Sequence, residues 1–302
     1  MKDFLLGVLK AAFYGVIGYY GTIYCIGKID TPIVSEPQEA VEVVKKEAPK
    51  QNYAPASYGG FNNLKSNSRN IGTTKMADSR TYILVLYMSQ PSHPLYQYEK
   101  SMLRNSLNSA TNWLRKEASY YGKDLYFVMT HVGFKEGTEI VIDDRYNLDE
   151  MPVRKIVEAY YGRNYRDIVK QKAQEHNCDN YMVMICNNGY RCSLAYKDDE
   201  KLHRRNGFDY FEGCIINVNG AGNLSSIVAH EILHTFGAWD LYKDELYVGE
   251  GAQYKSRLYN SIMNDTYQSL SEAEIDPVTA YLIGFTDYKD DWFPVLAKNV
   301  NF

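Results

Sequence analysis

The chain has 302 residues, 45% of them hydrophobic, which is enough to bury one large core or two small ones. Its formal net charge is −4, so it lacks the basic field that nucleic-acid-binding proteins use, and nucleic acid is not expected as a partner. Its 28 tyrosines suit contact with peptides or with carbohydrates, and composition does not separate the two.

An apolar stretch lies within the N-terminal residues 1–29. Residues 4–27 carry one charge, Lys10, and their number matches a membrane-spanning helix. A cleaved signal peptide is the alternative, but Tyr24-Cys25-Ile26-Gly27 is a poor match to the small-x-small pattern of a cleavage site. We therefore predict a transmembrane anchor that places the rest of the chain outside the cytoplasm, with secretion after signal cleavage as the alternative.

Residues 30–80 differ from the anchor in composition, being rich in Pro, Glu, Lys, Ser, Asn and Gly with little hydrophobic periodicity. Such a segment cannot bury enough apolar surface to fold by itself. It predicts a flexible linker that holds a folded domain, residues 81–302, away from the membrane.

Three apolar runs in the domain predict buried strands, because each is rich in β-branched and aromatic residues. They are 81–89, 124–130 and 180–186. Residues 97–121 and 152–176, which lie between the runs, have helical spacing. Strand and helix therefore alternate, which predicts an α+β fold with a mixed, largely parallel twisted sheet covered by helices.

The apolar positions of the first helix predict which of its sides packs on the sheet. Its polar residues, mainly Lys, Arg and Asn, are expected on the opposite side. The buried side is expected to contain Tyr98, Met102, Leu107, Trp113 and Leu114.

A fourth apolar run, 214–218, predicts a strand immediately before the next helix. If this strand lies at the edge of the sheet, the backbone of Ile215, Ile216 and Asn217 can pair with an extended peptide. An internal strand is the alternative interpretation.

The residues that carry chemistry lie between His230 and Asp240. On a helix, His230 and His234 project from the same side one turn apart, so both can bind one metal ion. Glu231 lies about 100° round the helix from His230 and can reach a metal-bound water without binding the metal itself. This arrangement predicts a catalytic zinc ion, with Glu231 as the general base for hydrolysis of an amide.

A catalytic zinc ion takes three protein ligands, so a third donor is required. Gly237 can adopt the left-handed conformation that ends a helix and reverses the chain, which lets Asp240 fold back toward the ion. A glutamate from a later segment, Glu272 or Glu274, is the alternative third ligand.

The pattern HExxHxxGxxD at 230–240, followed by Ser261-Ile262-Met263-Asn264, resembles the metzincin clan of zinc endopeptidases. Within that clan it is similar to the snapalysin-like and immune-inhibitor-A-like peptidases, whose third ligand is Asp, and Asp240-Leu241-Tyr242 resembles them as well. The resemblance implies a zincin-like fold in which an active-site helix is followed by a tight turn that places Met263 beneath the metal. Asp265 stands where astacin-like and serralysin-like members have a tyrosine ligand, so no such ligand is expected.

Together these features predict a membrane-tethered, extracytoplasmic zinc endopeptidase that acts on peptide or protein substrates. Two alternatives stay open. One is a non-catalytic surface binding or adhesion protein on a zincin frame, and the other is a zinc amidase that acts on cell-wall peptide. The sequence leaves the natural substrate, the cleavage specificity and the oligomeric state undetermined.

The remaining expectations concern cysteines, calcium and the C-terminal third. Outside the N-terminal segment there are four cysteines, Cys178, Cys186, Cys192 and Cys214, which are compatible with two disulfides in an oxidising compartment.

The acidic clusters at 143–144 and 287–291 could bind calcium, but neither has spaced ligands, so a solvated surface is expected. Residues 241–259 are expected to form a loop, and Asp276 and Pro277 to start a closing helix at 278–285.

Overall fold

The structure is a computed structural model, and it describes residues 23–25, 33–34, 79–138, 140–144, 165–189, 193–197, 212–219 and 222–297. The strands are β1 Ile23–Cys25, β2 Ile33–Val34, β3 Arg80–Ser89, β4 Tyr126–Val132, β5 Ile140–Ile142, β6 Asn180–Asn187, β7 Leu194–Lys197 and β8 Glu212–Asn217. The helices are α1 Gln97–Tyr120, α2 Tyr165–Glu175, α3 Leu224–Thr235, α4 Pro277–Leu282 and α5 Phe293–Ala297, and two 3-10 helices span Asp244–Tyr247 and Gly249–Leu258.

These strands form one mixed sheet with β3 at its centre. β3 runs parallel to β4 on one side and to β6 on the other, and β5 pairs in parallel with the end of β3. β8 runs parallel to β6, whereas β1, β2 and β7 are antiparallel additions at the edges. The predicted mixed, largely parallel sheet with helices is therefore confirmed.

Both faces of the sheet are covered, which explains the uninterrupted apolar run of β3. Ile83, Val85 and Tyr87 point into the larger core, which also contains apolar residues of α1, α3 and the C-terminal helices. Tyr82 and Leu84 point the opposite way, into a smaller core that includes residues of α2. Successive side chains of a strand alternate between faces, so a strand buried on both faces needs apolar residues at every position.

The helix predicted at 97–121 is confirmed as α1, but the prediction of its buried side is wrong in part. Tyr98 and Met102 are 64% and 49% exposed, whereas Leu103 is buried. Leu107 and Leu114 are buried as expected. Helix α1 packs against α3, and this contact selects the side that contains Leu103.

Strand β8 is internal, so of the two interpretations of this run the internal strand is correct and the possible substrate-pairing edge is not. β7 lies antiparallel along its outer side and pairs Leu194 with Ile215. On its other side, β6 pairs Cys186 with Ile216 and Asn187 with Asn217. The backbone groups of Ile215, Ile216 and Asn217 therefore lie between two neighbouring strands.

The two disulfides with which the sequence is compatible are not formed among these four cysteines, because Cys178, Cys186 and Cys214 are buried, unbridged thiols. Cys186 and Cys214 lie on adjacent strands but out of register, since Cys186 is opposite Ile216. Cys178 packs in the smaller core on the other face of the sheet. Cys192 lies outside the described residues.

The C-terminal third contains more helix than expected. The segment 241–259, predicted as a loop, contains the two 3-10 helices. The predicted start of the closing helix is confirmed, because Asp276 caps α4 and Pro277 is its first residue.

Most of the predicted anchor and linker lies outside the described residues, apart from two short strands. Ile23–Cys25, which the anchor prediction places in a helix, pairs with β5, and Ile33–Val34 pairs with β4. Each adds a partner to a strand edge that would otherwise present unpaired backbone groups. None of the helices in the described ranges combines the length and the apolar character needed to cross a membrane.

Candidate metal centre

Helix α3 presents one side to the core and the other to the candidate site. Its first turn is capped by Asn223, whose side chain accepts hydrogen bonds from the backbone N–H groups of Ser225 and Ser226. Val228, Ile232 and Phe236, which are spaced four residues apart and so share one side of the helix, are buried in the larger core. His230 and His234 therefore project away from that face.

The turn that ends α3 positions the second histidine. Gly237 has a φ of 104°, a conformation that favours glycine, and its N–H donates to the His234 carbonyl at 2.9 Å. The N–H of Ala238 donates to the Leu233 carbonyl at 3.1 Å, which completes a Schellman motif. The Ala238 carbonyl then accepts a hydrogen bond from Nδ1 of His234 at 2.9 Å. The helix end thus orients the imidazole that precedes it.

A turn from a distant part of the chain positions the first histidine. Nδ1 of His230 donates to the carbonyl of Ile262 at 3.0 Å. The adjacent Met263 is buried, and its carbonyl accepts from the N–H of Leu241 at 2.9 Å. The turn predicted around Met263 therefore lies against both the histidine helix and the segment that follows it.

Buried polar contacts hold this turn in place. The Ser261 hydroxyl accepts from the N–H of Met263 at 3.1 Å and donates to Oδ2 of Asp276 at 2.6 Å. Oδ1 of Asp276 accepts the first N–H groups of α4, from Val278 and Thr279. Burial raises the pKa of Asp276, and the hydrogen bonds from Ser261 and Thr279 oppose that rise. The cap of α4 and the Met263 turn are one hydrogen-bonded unit.

Three side-chain atoms converge on the site. Nε2 of His230 and Nε2 of His234 are 3.1 Å apart, and Oδ1 of Asp240 lies 3.4 and 2.9 Å from them. Because each Nδ1 donates to a carbonyl, the Nε2 atom of each imidazole is left facing inward, where its lone pair can bind a cation. Two lone pairs and a carboxylate oxygen this close repel one another unless a cation lies among them. This donor set fits a metal ion.

The Asp240 carboxylate is shared between the two imidazoles and a lysine. While Oδ1 faces the imidazoles, Oδ2 lies 2.7 Å from Nζ of Lys243. Burial by itself would raise the pKa of Asp240, but the adjacent His230 and His234 and the ammonium group of Lys243 hold it well below its ordinary value. Asp240 is therefore ionised at neutral pH.

Glu231 is buried beside the two histidines. One carboxylate oxygen of Glu231 and one nitrogen of each of His230 and His234 lie within 4.8 Å of one another, so these three residues form a group that can hold a metal ion. The backbone carbonyl of Glu231 accepts from the thiol of Cys214 at 3.1 Å, which ties the helix to β8.

The alternative third ligands lie elsewhere. Glu272 is exposed, and its carboxylate accepts from the N–H and the hydroxyl of Ser269. The Glu274 side chain is exposed, and its backbone pairs with Asn260 and Ile262. Asp240, in contrast, places Oδ1 3.4 and 2.9 Å from the Nε2 atoms of His230 and His234.

The acidic clusters considered for calcium form no metal-holding group of three ligands within the ranges that the structure covers. In the first cluster, Oδ1 of Asp144 accepts instead from the N–H and the hydroxyl of Ser92.

Sequence reasoning missed the roles of five residues at the site. They are Lys243, Ile262 and Ala238 through their carbonyls, and the hydrogen-bonded pair Ser261 and Asp276. Lys243 follows Asp240 by three residues, a spacing at which a charge pair across a turn could have been considered. The other contacts join segments that are distant in the chain or depend on backbone geometry, and they leave no local pattern.

Comparison of the chain with protein-family models, with curated proteins and with solved structures found no match.

Proposed function

We propose that the chain is a zinc-dependent endopeptidase with a metzincin-like arrangement of its active site. The observation that carries this proposal is the convergence of Nε2 of His230, Nε2 of His234 and Oδ1 of Asp240, separated by 2.9 to 3.4 Å. Ligand atoms of a tetrahedral zinc ion lie roughly 3.3 Å apart, so the three atoms fit such an ion with little movement. Two imidazoles and a carboxylate are also ligands that suit zinc.

A zinc ion held there would supply Lewis acidity toward a substrate carbonyl and toward water. Glu231 follows His230 on the helix and is buried beside the histidines, where a carboxylate can accept a proton from the attacking water and return it to the leaving amine. Met263 is buried in the turn whose Ile262 carbonyl accepts the hydrogen bond of His230, and it corresponds to the turn methionine that the metzincin resemblance implies. Gly237 reverses the chain so that Asp240 can join the histidines.

Edge strand β7 is the best candidate for substrate pairing. Its inner side pairs with β8, and no further strand lies along its outer side within the described part of the sheet. Helix α3 contacts both β7 and β8, so this edge lies close to the helix that carries the histidines. An extended peptide added to β7 would be held by main-chain hydrogen bonds, which favours an endopeptidase acting on extended segments.

The cellular setting belongs to the same proposal. An anchor within residues 1–29, on the N-terminal side of strand β1, would tether the domain to a membrane and expose it outside the cytoplasm. Peptides and proteins on that side of the membrane would be its substrates.

Glu231→Gln tests the assignment of the base. Glutamine keeps the shape of the side chain but cannot take a proton, so the variant should bind one zinc per chain and cleave a mixed peptide library about 100- to 10,000-fold more slowly. Metal content is measured by elemental analysis and cleavage by mass spectrometry, with chelated and zinc-restored parent protein as controls. Equal cleavage by variant and parent would reject Glu231 as the base. Zinc in the parent without any cleavage would favour the non-catalytic binding protein.

A further inference from the structure

We infer that Lys243 is a positioning residue that holds Asp240 in the orientation needed to bind the metal through one oxygen. The inference rests on the proposed zinc site and adds a residue that the motif does not contain. Nζ of Lys243 lies 2.7 Å from Oδ2 of Asp240, on the side of the carboxylate opposite the imidazoles.

Each of the three converging groups is fixed by a partner on its far side. Carbonyl oxygens of Ile262 and Ala238 accept from the Nδ1 atoms of the two imidazoles. Asp240 differs, because its outer partner is a side chain, Lys243. Such outer partners set the orientation of a ligand and the number of its atoms that reach the metal. Lys243 can be replaced without altering the backbone, so its role can be measured directly.

The surrounding residues leave Lys243 available to Asp240. Asp244 is its neighbour in sequence, but Asp244 is 87% exposed and pairs with Lys255 at 2.7 Å, so water and salt screen any attraction between Asp244 and Lys243. The carbonyl of Lys243 accepts from the N–H of Leu246 at 3.1 Å and begins the 3-10 helix that follows, which fixes the backbone from which the lysine extends.

Lys243 has two opposing effects on metal binding. Its charge repels a cation, and its hydrogen bond orients the ligand. The side chain of Lys243 is 55% exposed, so water and salt screen the repulsion, whereas the hydrogen bond to Asp240, which is only 16% exposed, is direct. Orientation therefore outweighs repulsion, and loss of the lysine should weaken metal binding.

The chain contains a matched control. The Lys255–Asp244 pair has the same 2.7 Å separation as the Lys243–Asp240 pair, and its lysine is equally exposed, at 55%. Asp244, however, is 87% exposed and is not one of the three groups that converge on the site. Lys243→Met and Lys255→Met each remove one ammonium group from an ion pair of equal length. They differ in whether the carboxylate left behind faces the imidazoles.

The experiment measures the zinc dissociation constant of the full chain by competition with a chromophoric chelator. Lys243→Met should bind zinc about 10-fold more weakly, within the roughly 10- to 100-fold range seen when the outer partner of a ligand is lost. Lys255→Met should match the parent, and Lys243→Arg, which retains charge and donors, should restore most of the affinity. Circular dichroism of the metal-free proteins should show the same fold in all four.

A spectroscopic measurement separates positioning from a general loss of structure. With Co²⁺ as the probe, the visible ligand-field spectrum of Lys243→Met should differ from that of the parent, because a released carboxylate can bind through both oxygens and change the coordination number. The Lys255→Met spectrum should be that of the parent.

The outcomes distinguish the two proposals. If the parent binds zinc and Lys243→Met binds it equally well or more tightly, the role of Lys243 is rejected and the proposed function stands. If the parent binds no zinc, the proposed function and the role of Lys243 are both rejected.

Discussion

The imidazole of His230 donates from Nδ1 to the carbonyl of Ile262 at 3.0 Å, although the two residues are 32 positions apart. This contact connects the histidine helix to the Met263 turn. The same turn is bound to the cap of α4 through Ser261 and Asp276. The orientation of one imidazole of the candidate metal centre therefore depends on the packing of a helix that begins more than forty residues after it.

Asp240 should be the third protein ligand, and Asp240→Asn tests this assignment. Asparagine keeps the shape of the side chain but lacks the negative charge that attracts the cation and pairs with Lys243. Zinc affinity should fall by more than the roughly 10- to 100-fold expected from loss of an outer hydrogen bond. The affinity is measured by competition with a chelator.

Glu272→Gln is the control for this substitution, because Glu272 was one of the two alternative ligands, with Glu274, that the sequence left open. Its carboxylate accepts hydrogen bonds from Ser269 at the surface, so zinc affinity should not change. If Glu272→Gln loses zinc while Asp240→Asn retains it, the assignment of the third ligand is reversed.

Gly237→Ala should impair both folding stability and metal binding. An alanine at φ 104° is strained, which should lower the free energy of unfolding by about 1–2 kcal/mol. Relaxation of that strain would also move the Ala238 carbonyl that orients His234, so zinc affinity should fall. Denaturant unfolding and chelator competition measure the two effects separately.

Gly122→Ala is the matched control for Gly237→Ala. Gly122 follows α1 with a φ of 70°, and a Cβ built there meets no atom within 4 Å. The same type of backbone strain should lower stability there, but zinc affinity should be that of the parent. Equal loss of affinity in both variants would show that the effect of Gly237 is a general loss of stability.

The sequence predicted those features of the fold and the site that depend on residues close together in the chain. The apolar run of β3 predicted a strand buried on both faces, and the i, i+4 spacing of His230 and His234 placed the imidazoles side by side. Gly237 predicted the chain reversal, because a positive φ is a local requirement that glycine meets. In each case the physical cause lies within a few residues.

Other features depend on which segments meet, and the sequence predicted these poorly. Tyr98 and Met102 were expected in the core because they are apolar, yet α1 packs on α3 through the side that contains Leu103. β8 was considered as an edge because its own residues do not reveal that β7 pairs beside it. Lys243 and the Ile262 carbonyl likewise acquire their roles only once the turns are folded against α3.

Stability of the metal-free chain should decrease as pH falls below about 6.5, and His131 should account for part of the decrease. His131 is buried in β4, where Nδ1 lies 3.0 Å from the Tyr87 hydroxyl. Burial, with a smaller contribution from the charge of Arg104, lowers its pKa from 6.5 to about 4. The unfolded chain therefore takes up a proton between pH 6.5 and 4 that the folded chain does not, so protonation favours unfolding in that window.

The loss attributable to His131 should approach about 3 kcal/mol near pH 4, since each pKa unit corresponds to 1.36 kcal/mol. Urea unfolding at several pH values, with a chelator present to remove metal, measures the free energy of unfolding. His131→Gln retains a polar side chain beside Tyr87 but does not titrate, so its stability should vary less between pH 7 and 4.5 than that of the parent. A pH dependence equal to that of the parent would mean that other groups govern acid unfolding, and that His131 gains no proton when the chain unfolds.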